Sequence, residues 1–413
     1  MLYCCYACGL ATVSIVHSSR PSLPDFLIAS VTETLARWLP VGDASLAPRN
    51  WDRDEWLAAE WIAYGQNALP WLCDRIAQAR LALPASSRER LETINALSRQ
   101  RTLRMLDAAV ELIEALRRVG VEAMPFKGAL LAPLAYPDPA MRPLADLDLL
   151  VREQEVRKSI GVLERLGYVY YSRSAEDFVY LRGQRKANVW HPDNVHPIEL
   201  HFRIREEYAG LAYDLTQAMW SSAGRRAYWR GSQALVPAWP IALHHVCGHA
   251  TSDWLIQRGK LMEIGDIQTV ASRITEEEWD AFLASIPRSS ARFVYPALAV
   301  TQRYAPGSIP EHVLVSLRVH LAPTLKTWAD TTTLAEASES NPRPRSAIGL
   351  RLARLLARSR AERLAMWLRS LFPRRWNLVK RYPRLAASPF FPLCYVLINL
   401  DRAAHVLKLR SAR

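Results

Sequence analysis

The spacing of apolar residues predicts that the first part of the chain is helical. Between about Pro24 and Gly120, apolar positions recur every three or four residues, which is the period of an amphipathic helix. The longest such segment runs from Ser86 to Val119, and Gly120 is a typical residue to end it. We therefore expect a helical N-terminal region over residues 1–120.

After Gly120 the apolar residues come in short runs that are typical of strands. Val121 to Phe126 is the first run, and a short helix is expected over Gly128 to Ala135. Leu144 to Val151 has the pattern of a strand, and Glu153 to Leu166 that of a helix behind it. The remaining strand candidates are Tyr168 to Tyr171, Phe178 to Leu181, Ala187 to His191 and His196 to Phe202. Together these elements predict a small mixed sheet over residues 121–205.

From Glu206 onward the helical spacing returns. The candidate helices are Ile241 to Asp253, Ile264 to Ala271, Glu276 to Ser285 and Phe293 to Tyr304. A Pro- and Arg-containing linker is expected at Asn341 to Arg345. We thus expect a helical domain over 206–340 and a basic, partly apolar helical tail over 341–413. The fold class that follows is α+β, a small mixed-sheet domain flanked by helical N- and C-terminal regions.

The positive charge of the chain is concentrated near the C-terminus. The formal net charge is +13, and Arg343 to Arg384 contains thirteen Arg and Lys residues against one acid, Glu362. This tail has three interpretations: a solvated basic face, a nucleic-acid contact, or docking on an anionic membrane surface. The apolar segment from Ser388 to Leu400 favours the membrane over nucleic acid, so 343–400 is a candidate membrane-surface segment.

The six cysteines show no disulfide framework. Cys4, Cys5 and Cys8 lie in an apolar N-terminal run that lacks the basic start and cleavage site of a signal peptide. The run is also shorter than the ~20 residues that a membrane span needs. We therefore expect a cytoplasmic protein, with peripheral attachment at the inner membrane surface as the alternative. Whether residues 1–20 are the true N-terminus stays open.

Two aspartates carry the first chemical signal. In a strand, Asp146 and Asp148 point to one face, while Leu147 and Leu149 point to the other. Adjacent carboxylates repel each other unless a cation lies between them, and Mg²⁺ is a hard cation that binds carboxylate and phosphate oxygens. Asn keeps the size of Asp but lacks the charge that holds a hard dication, so we expect Asp148→Asn, and likewise Asp146→Asn, to abolish activity and leave stability unchanged or slightly raised.

A third carboxylate commonly completes such a site. Glu199 lies in a segment whose apolar residues face one side, while Glu199, His201 and Arg203 face the other. A strand of this kind suits the wall of an active site. The competing acids in this part of the chain are Glu176, Asp177 and Asp193.

Cationic and small residues precede the acidic pair. Lys127-Gly128 lies at a predicted strand-to-helix transition, where backbone N–H groups and a lysine can bind phosphate. Arg142 can bind phosphate with two hydrogen bonds. Each of these features is common by chance. Their order and spacing favour a nucleotide site over an ordinary solvated strand edge.

This block resembles a family of bacterial proteins known as uncharacterised nucleotidyltransferases, relatives of the polymerase-beta nucleotidyltransferase superfamily. The resemblance lies in Lys127-Gly128, Arg142, the stretch from Asp146 to Val151, and Glu199 to His201. The superfamily usually has Gly-Ser where this chain has Lys-Gly, and Asp is the more usual third acid.

The resemblance implies metal ligation and catalysis by Asp146, Asp148 and Glu199. It also implies nucleotide binding by Lys127, Gly128 and Arg142. The expected enzyme binds Mg²⁺ or Mn²⁺, with a nucleoside triphosphate such as ATP as substrate. It transfers a nucleoside monophosphate to an unknown acceptor (a small molecule, protein or RNA) and releases pyrophosphate. The alternative is an inactive nucleotide-binding or membrane-surface scaffold protein of a biosynthetic cluster. Acceptor, base preference, pathway and oligomeric state stay open.

A histidine-rich segment has two interpretations. His244, His245, Cys247 and His249 are followed by Asp253, and His245 and His249 would share a helix face as a zinc pair does. The segment lacks the Glu of the helical zinc-protease motif, which favours hydrogen-bonded core histidines. The resemblance implies structural or base-adjacent roles for His249 and Asp266.

Overall fold

The structure is a computed structural model. It describes residues 21–186, 188–208, 211–338, 345–373, 378, 382, 385 and 388–411. The N-terminal cysteine cluster and most of the expected linker, 341–344, lie outside these ranges. The remaining cysteines, Cys73, Cys247 and Cys394, are free thiols.

The N-terminal region is helical, as the apolar spacing predicted. Its helices are α1 (Asp25–Val41), α2 (Arg53–Gly65), α3 (Leu69–Ala79) and α4 (Ala85–Arg118). A capping box fixes the start of α2, where the Asp52 side chain accepts from the N–H of Glu55 and the Glu55 side chain accepts from the N–H of Asp52. Apolar residues of all four helices belong to the main hydrophobic core.

A five-stranded mixed sheet follows. Its strands are β1 (Met124–Phe126), β2 (Leu147–Leu150), β3 (Val169–Arg173), β4 (Asp177–Arg182) and β5 (His196–His201), in the spatial order β1-β2-β5-β4-β3. Helix α5 (Lys127–Leu134) follows β1, and α6 (Val156–Arg165) follows β2. Only β2 and β5 pair in parallel; the other neighbours are antiparallel. The predicted α+β class is confirmed.

Strand alternation separates the core from the polar face of this sheet. On β2, Leu147 and Leu149 are fully buried, and on β5 Ile198 and Leu200 are fully buried beside them. The intervening positions therefore point to the opposite face. The edge strand β3 is different, because Val169, Tyr170 and Tyr171 are exposed and the pairing with β4 is irregular between Tyr170 and Ser172.

The strand expected from Ala187 to His191 is absent from the described part of that segment. Asn188 instead starts a tight turn: its side chain accepts from the N–H of Trp190, and its carbonyl accepts from the N–H of His191. Asparagine favours such turns because its side chain replaces the backbone as a hydrogen-bond partner. Ala187 itself lies outside the described residues.

The helical pattern expected from Glu206 does not begin until Trp239. Two hairpins come first, β6 (Arg205–Tyr208) with β7 (Leu211–Asp214) and β8 (Gly224–Ala227) with β9 (Gln233–Val236), separated by the short helix α7 (Thr216–Ser221). Arg230 and Gly231 both have positive φ, 48° and 79°, as a type I′ hairpin turn requires. Because arginine rarely adopts positive φ, the sequence offered only Gly231 as a signal of this turn. The domain boundaries themselves stay a prediction.

Helices make up the rest of the described chain. Those that precede residue 338 are α8 (Trp239–Leu255), α9 (Leu261–Ala271), α10 (Glu276–Ala284), α11 (Ala291–Tyr304), α12 (Glu311–Arg318), α13 (Pro323–Thr331) and α14 (Leu334–Ala337). The tail contains α15 (Arg345–Leu356), α16 (Arg360–Leu371) and α17 (Leu393–Ser411). None of the described helices has both the length and the apolar character that crossing a bilayer requires.

Candidate active site

Three polar side chains of neighbouring strands converge on one face of the sheet. Asp148 of β2 is paired in register with Glu199 of β5, and His201 lies two positions further along β5. All three side chains are buried, with 2%, 4% and 1% of their surface exposed. One ligand atom from each lies within 4.8 Å of the other two. The expected alternation on β5 thus brings an acid and an imidazole against the acidic strand.

Lys127 closes this cluster from the start of α5. Its Nζ lies 2.9 Å from Asp148 Oδ1, and the lysine side chain is 20% exposed. The backbone of Lys127 has φ +47°, in the left-handed region that non-glycine residues seldom adopt. Such strain is retained where the surrounding structure enforces it, and it is commonly found at functional sites. The strand-to-helix transition therefore aims this lysine at the carboxylates.

His201 connects the carboxylates to a fourth acid. Its Nε2 lies 3.1 Å from Asp148 Oδ1 and 3.4 Å from Glu199 Oε2, while its Nδ1 lies 4.0 Å from Asp177 Oδ2. Burial alone would lower the pKa of His201, but the hydrogen bonds to Asp148 and Glu199 and the charge of Asp177 raise it to about 10. His201 is therefore protonated at neutral pH in the metal-free protein. Asp177, a competitor for the third acid, lies behind the imidazole.

The other two competitors lie elsewhere in the fold. Glu176 is buried and directly precedes β4, and the Ser174 hydroxyl accepts from its N–H. Asp193 is exposed and forms an ion pair with Arg104 of α4. Arg203, expected on the same face as Glu199, is about half exposed and pairs with Glu153. Of the acids considered on the later strands, Glu199 is the one whose carboxylate lies within the group around Asp148.

Asp146 and Asp148 have opposite electrostatic surroundings. Asp146 directly precedes β2 and is half-buried. Burial, followed by the charges of Asp148 and Glu199, raises the pKa of Asp146 to about 7. Burial would also raise the pKa of Asp148, but the charge of Lys127 and the hydrogen bond with His201 hold it well below its ordinary value. The expectation that the two aspartates behave alike is replaced by this asymmetry.

The donor set fits a hard divalent cation. Asp148 and Glu199 supply carboxylate oxygens, and His201 supplies an imidazole nitrogen that Mn²⁺ accepts more readily than Mg²⁺. Asp146 adds a nearby carboxylate. Its pKa is raised as long as no cation offsets the neighbouring carboxylate charges. In the metal-free protein, the charges of Lys127 and protonated His201 offset those of the carboxylates. A bound dication would take over that role.

Arg142 forms a two-point ion pair with Asp266. Its Nη2 donates to Asp266 Oδ2 at 2.7 Å and its Nε to Asp266 Oδ1 at 3.2 Å, and Tyr136 donates to the same carboxylate at 2.8 Å. The side chains of Arg142 and Asp266 are 16% and 6% exposed. Asp266 therefore links its helix to Arg142 and Tyr136, which agrees with the structural role expected for it. Nucleotide binding by Arg142 stays a prediction.

Gly128 is required by the same arrangement. A Cβ at this position would overlap the Arg142 guanidinium and lie 2.7 Å from Leu144 Cδ2. The absence of a side chain thus lets the turn before β2 pack against the start of α5. Access of a phosphate to the backbone N–H groups of Lys127-Gly128 stays a prediction.

Two cations near Asp146 escaped the sequence analysis. Lys260 directly precedes α9, and its charge acts on Asp146. Arg101 of α4 is 3% exposed, and its Nη2 donates to the carbonyls of Val195 (2.9 Å) and Ala145 (3.3 Å). Because Ala145 precedes the acidic pair, Arg101 ties the long N-terminal helix to the site. The sequence signal was an arginine on the apolar face of that helix.

The histidine-rich helix α8 divides in two. His244 and His245 are buried; burial lowers the pKa of His244 to about 4 and holds that of His245 well below its ordinary value. His249, Asp253 and Glu263 instead bring one ligand atom each within 4.8 Å of one another. Glu263 also accepts from Lys260 N and Trp254 Nε1, which ties it to the start of α9.

The chain is similar to a known protein family and to solved structures. Residues 52–306, more than half of the chain, match the model of the family described as uncharacterised nucleotidyltransferase. No curated protein matches the chain. An antigenic nucleotidyltransferase-like protein from Paracoccidioides brasiliensis is similar at 13% identity over 52% of this chain and 92% of that one, with a TM-score of 0.32. The antibiotic-resistance factor ANT(2'')-Ia is similar at 16% identity over 43% of this chain and 91% of that one, with a TM-score of 0.31.

Proposed function

Since this chain belongs to the family of uncharacterised nucleotidyltransferases, we propose that it transfers a nucleoside monophosphate from a nucleoside triphosphate to an acceptor and releases pyrophosphate. The observation that carries the proposal is the buried group of Asp148, Glu199 and His201, with Lys127 in contact with Asp148 and with Asp146 near enough for the charges of Asp148 and Glu199 to act on it. Burying two carboxylates costs free energy unless cations compensate them, and a dication would do so in addition to Lys127 and His201.

Asp146, Asp148 and Glu199 would hold Mg²⁺ or Mn²⁺, and His201 is a further candidate donor. The bound metal would supply charge neutralisation at the phosphates. Asp177 would orient the His201 ring from behind, since partners of this kind fix the direction of a metal-binding imidazole. The carboxylates thus hold the cation and the strands keep them in place.

Lys127 would bind the triphosphate when Asp148 serves as a ligand of the cation instead of as its ion-pair partner. Its Nζ is already within the site, so only a local change of partner is needed. In the reaction an acceptor hydroxyl oxygen bonds to the α-phosphorus, the bond to the pyrophosphate oxygen breaks, and the hydroxyl proton passes to a base. The contribution of the protein is mainly positioning and charge stabilisation. The base could be a carboxylate of the site or water.

The first experiment measures nucleoside triphosphate binding by calorimetry, with Mg²⁺ and with chelator. We expect tighter binding with metal, because the carboxylates repel an uncompensated triphosphate. The variant Asp193→Asn is the control for substitutions within the site and should bind triphosphate like the unchanged protein. Asp193 is an exposed aspartate that pairs with Arg104 away from the site. Equal affinity with metal and with chelator would remove the metal from the proposal.

The second experiment tests transfer itself. Triphosphates labelled at the α-phosphate are incubated with cell extract and the purified protein, and label transfer into any fraction is followed. We expect transfer that requires divalent metal and is lost in Asp148→Asn but kept in Asp193→Asn. Metal-dependent triphosphate binding without any transfer would instead favour the nucleotide-binding scaffold. The extract contains small molecules, proteins and RNA, so the labelled fraction also identifies the acceptor class.

A further inference from the structure

Exposed apolar side chains are concentrated in the C-terminal helices. Eighteen large apolar residues are exposed in the described part of the chain, and nine of them lie between residues 364 and 400. These nine are Leu364, Trp367, Leu368, Phe372, Phe390, Leu393, Val396, Leu397 and Leu400. Single exposed apolar residues are ordinary, but a contiguous group marks an interaction surface. We call these nine residues the C-terminal apolar surface.

On α16 the exposed apolar residues form one stripe. Leu364, Trp367 and Leu368 have the spacing of a helix face, and Phe372 extends it by one turn. Met366, on the opposite side of α16, is 1% exposed and belongs to the main core. The helix is therefore anchored by its other side, and its apolar stripe faces solvent.

Helix α17 has the same organisation. Leu393, Val396, Leu397 and Leu400 are 40–60% exposed and follow a helical spacing, whereas Cys394 is fully buried. The two helices are joined, because the rings of Phe372 and Tyr395 lie 5.5 Å apart and Asn399 Nδ2 donates to the Leu371 carbonyl at 3.0 Å. Both apolar stripes thus belong to one structural unit.

Arginines border the stripe of α16. Arg360, Arg363 and Arg369 are exposed. On a helical projection, Arg363 and Arg369 fall on either side of the stripe, and Arg360 lies one turn before Leu364. A long arginine side chain can lie along an apolar surface and extend its charge to a polar boundary. An apolar stripe with tryptophan and arginine borders is typical of helices that lie in a membrane interface.

We propose that the C-terminal apolar surface docks the protein on an anionic lipid bilayer. The charge of the segment from Arg343 to Arg384, thirteen basic residues against Glu362, complements anionic headgroups. A second copy of the chain would bring the same positive charge and be repelled. RNA would use the arginines and the aromatic rings, but six of the nine exposed residues are Leu or Val, which offer no stacking surface.

Cosedimentation of the full chain with lipid vesicles tests this proposal. The vesicles contain phosphatidylcholine with or without phosphatidylglycerol. We expect binding to the anionic vesicles that weakens as salt rises, since charge attraction is screened over about 8 Å at physiological ionic strength. In the variant Leu364→Ser with Leu368→Ser, we expect binding to weaken by about tenfold or more, because two apolar side chains no longer enter the interface.

Helix α12 and the residue that follows it provide the matched control. Val315 and Val319 are 52% and 65% exposed, so Val315→Ser with Val319→Ser removes as many exposed apolar side chains from another part of the surface. This control should bind vesicles like the unchanged protein. The proposal is overturned if the unchanged protein does not bind anionic vesicles at low salt, or if both double variants bind alike.

Two further outcomes would name a different occupant. Salt-sensitive binding of mixed-sequence RNA, with no binding to vesicles, would assign the surface to nucleic acid. A dimer in solution that dissociates in the Leu364→Ser, Leu368→Ser variant, with no binding to vesicles, would assign it to a second copy. Neither variant alters Asp146, Asp148 or Glu199, so loss of lipid binding can be distinguished from loss of nucleotidyl transfer.

Discussion

Asp146 and Asp148 carry the same side chain two positions apart, yet their surroundings predict different effects of substitution. Asp148 lies against Lys127 and His201, whereas the neighbouring carboxylates make Asp146 hard to ionise. Replacing Asp148 removes a favourable partner of the half-buried Lys127 and the buried His201. Replacing Asp146 removes a repulsive charge. The effect of each substitution on stability can therefore differ, even though both aspartates are proposed to bind the metal.

We predict that Asp146→Asn and Asp148→Asn both abolish transfer but change stability in opposite directions. Asp146→Asn should leave the free energy of unfolding unchanged or raise it, because repulsion is relieved. Asp148→Asn should lower it by about 1–3 kcal/mol, because Lys127 and His201 lose a charged partner. Chemical denaturation and the label-transfer assay measure both quantities. Transfer at the normal rate in Asp148→Asn would show that the metal site lies elsewhere in the protein.

The raised pKa of Asp146 predicts a pH dependence of the metal-free protein. The folded chain holds a proton at Asp146 up to about pH 7, whereas an ordinary aspartate releases it near 3.8. Stability with chelator should therefore be highest near pH 4 and fall as pH rises to 7. His201 has its pKa raised from 6.5 to about 10, so it adds a further fall above pH 6.5.

Melting temperatures across this range, with chelator and with Mg²⁺, check the prediction. In Asp146→Asn, the melting temperature should change less between pH 4 and 7 but should still fall above pH 7. Mg²⁺ should reduce both decreases in melting temperature, because a dication replaces the protons that offset the carboxylate charges. A wild-type slope that is unchanged in Asp146→Asn would show that other groups cause it.

At the scale of elements, the pair Arg142–Asp266 joins the turn before β2 to α9. Both side chains are largely buried, and Tyr136 donates to the same carboxylate. The acidic strand and the helical region after the sheet are therefore connected through one ion pair. The sequence showed Arg142 and Asp266 separately, but gave no reason to pair residues 124 positions apart.

We predict that Arg142→Ala lowers the free energy of unfolding by about 3–5 kcal/mol, because it leaves Asp266 as an uncompensated buried charge. Combining Arg142→Met with Asp266→Leu should recover much of that loss, since both charges are then removed. Denaturant unfolding of the single and double variants gives the free energy of interaction between Arg142 and Asp266. A variant of Arg142 that folds normally but binds triphosphate weakly would instead support the nucleotide-binding role predicted from the sequence.

Elements with a strong local signal could be predicted, and elements that depend on turns could not. The long helix from Ser86 and the strands carrying Asp148 and Glu199 follow from apolar spacing alone. The β8–β9 hairpin depends on two residues with positive φ, one of them Arg230, which rarely adopts it. The contacts of His201 with Asp148 and Asp177 depend on strand order, which the sequence pattern does not determine.

Considered as a whole, the described chain is held together by contacts between distant segments. Glu33 of α1 accepts hydrogen bonds from the Tyr304 hydroxyl (2.7 Å) and from the N–H of Ala335 (2.8 Å). Apolar residues from α1 to α16 form one continuous core. The N-terminal helices and the helices after the sheet therefore support each other.

We predict that Glu33→Ala destabilises the whole protein rather than a local segment. The loss should be about 1.5–3 kcal/mol for each hydrogen bond to the charged carboxylate. Thermal unfolding followed by both far-UV and near-UV circular dichroism should show one transition at a lower temperature. Glu55→Ala, which removes only the Glu55 half of the capping box of α2, is the control and should cost less, about 0.3–1.5 kcal/mol. Separate transitions for the two signals would show that the regions unfold independently.

The irregular pairing of β3 has a consequence for self-association. An edge strand with exposed Val169, Tyr170 and Tyr171 is a template onto which another chain could add, as in amyloid growth. The register shift between Tyr170 and Ser172 bends this edge and interrupts its row of hydrogen-bonding groups. One extra residue in β3 thus makes this edge a poorer template for a sixth strand, and aggregation through it is expected to be disfavoured.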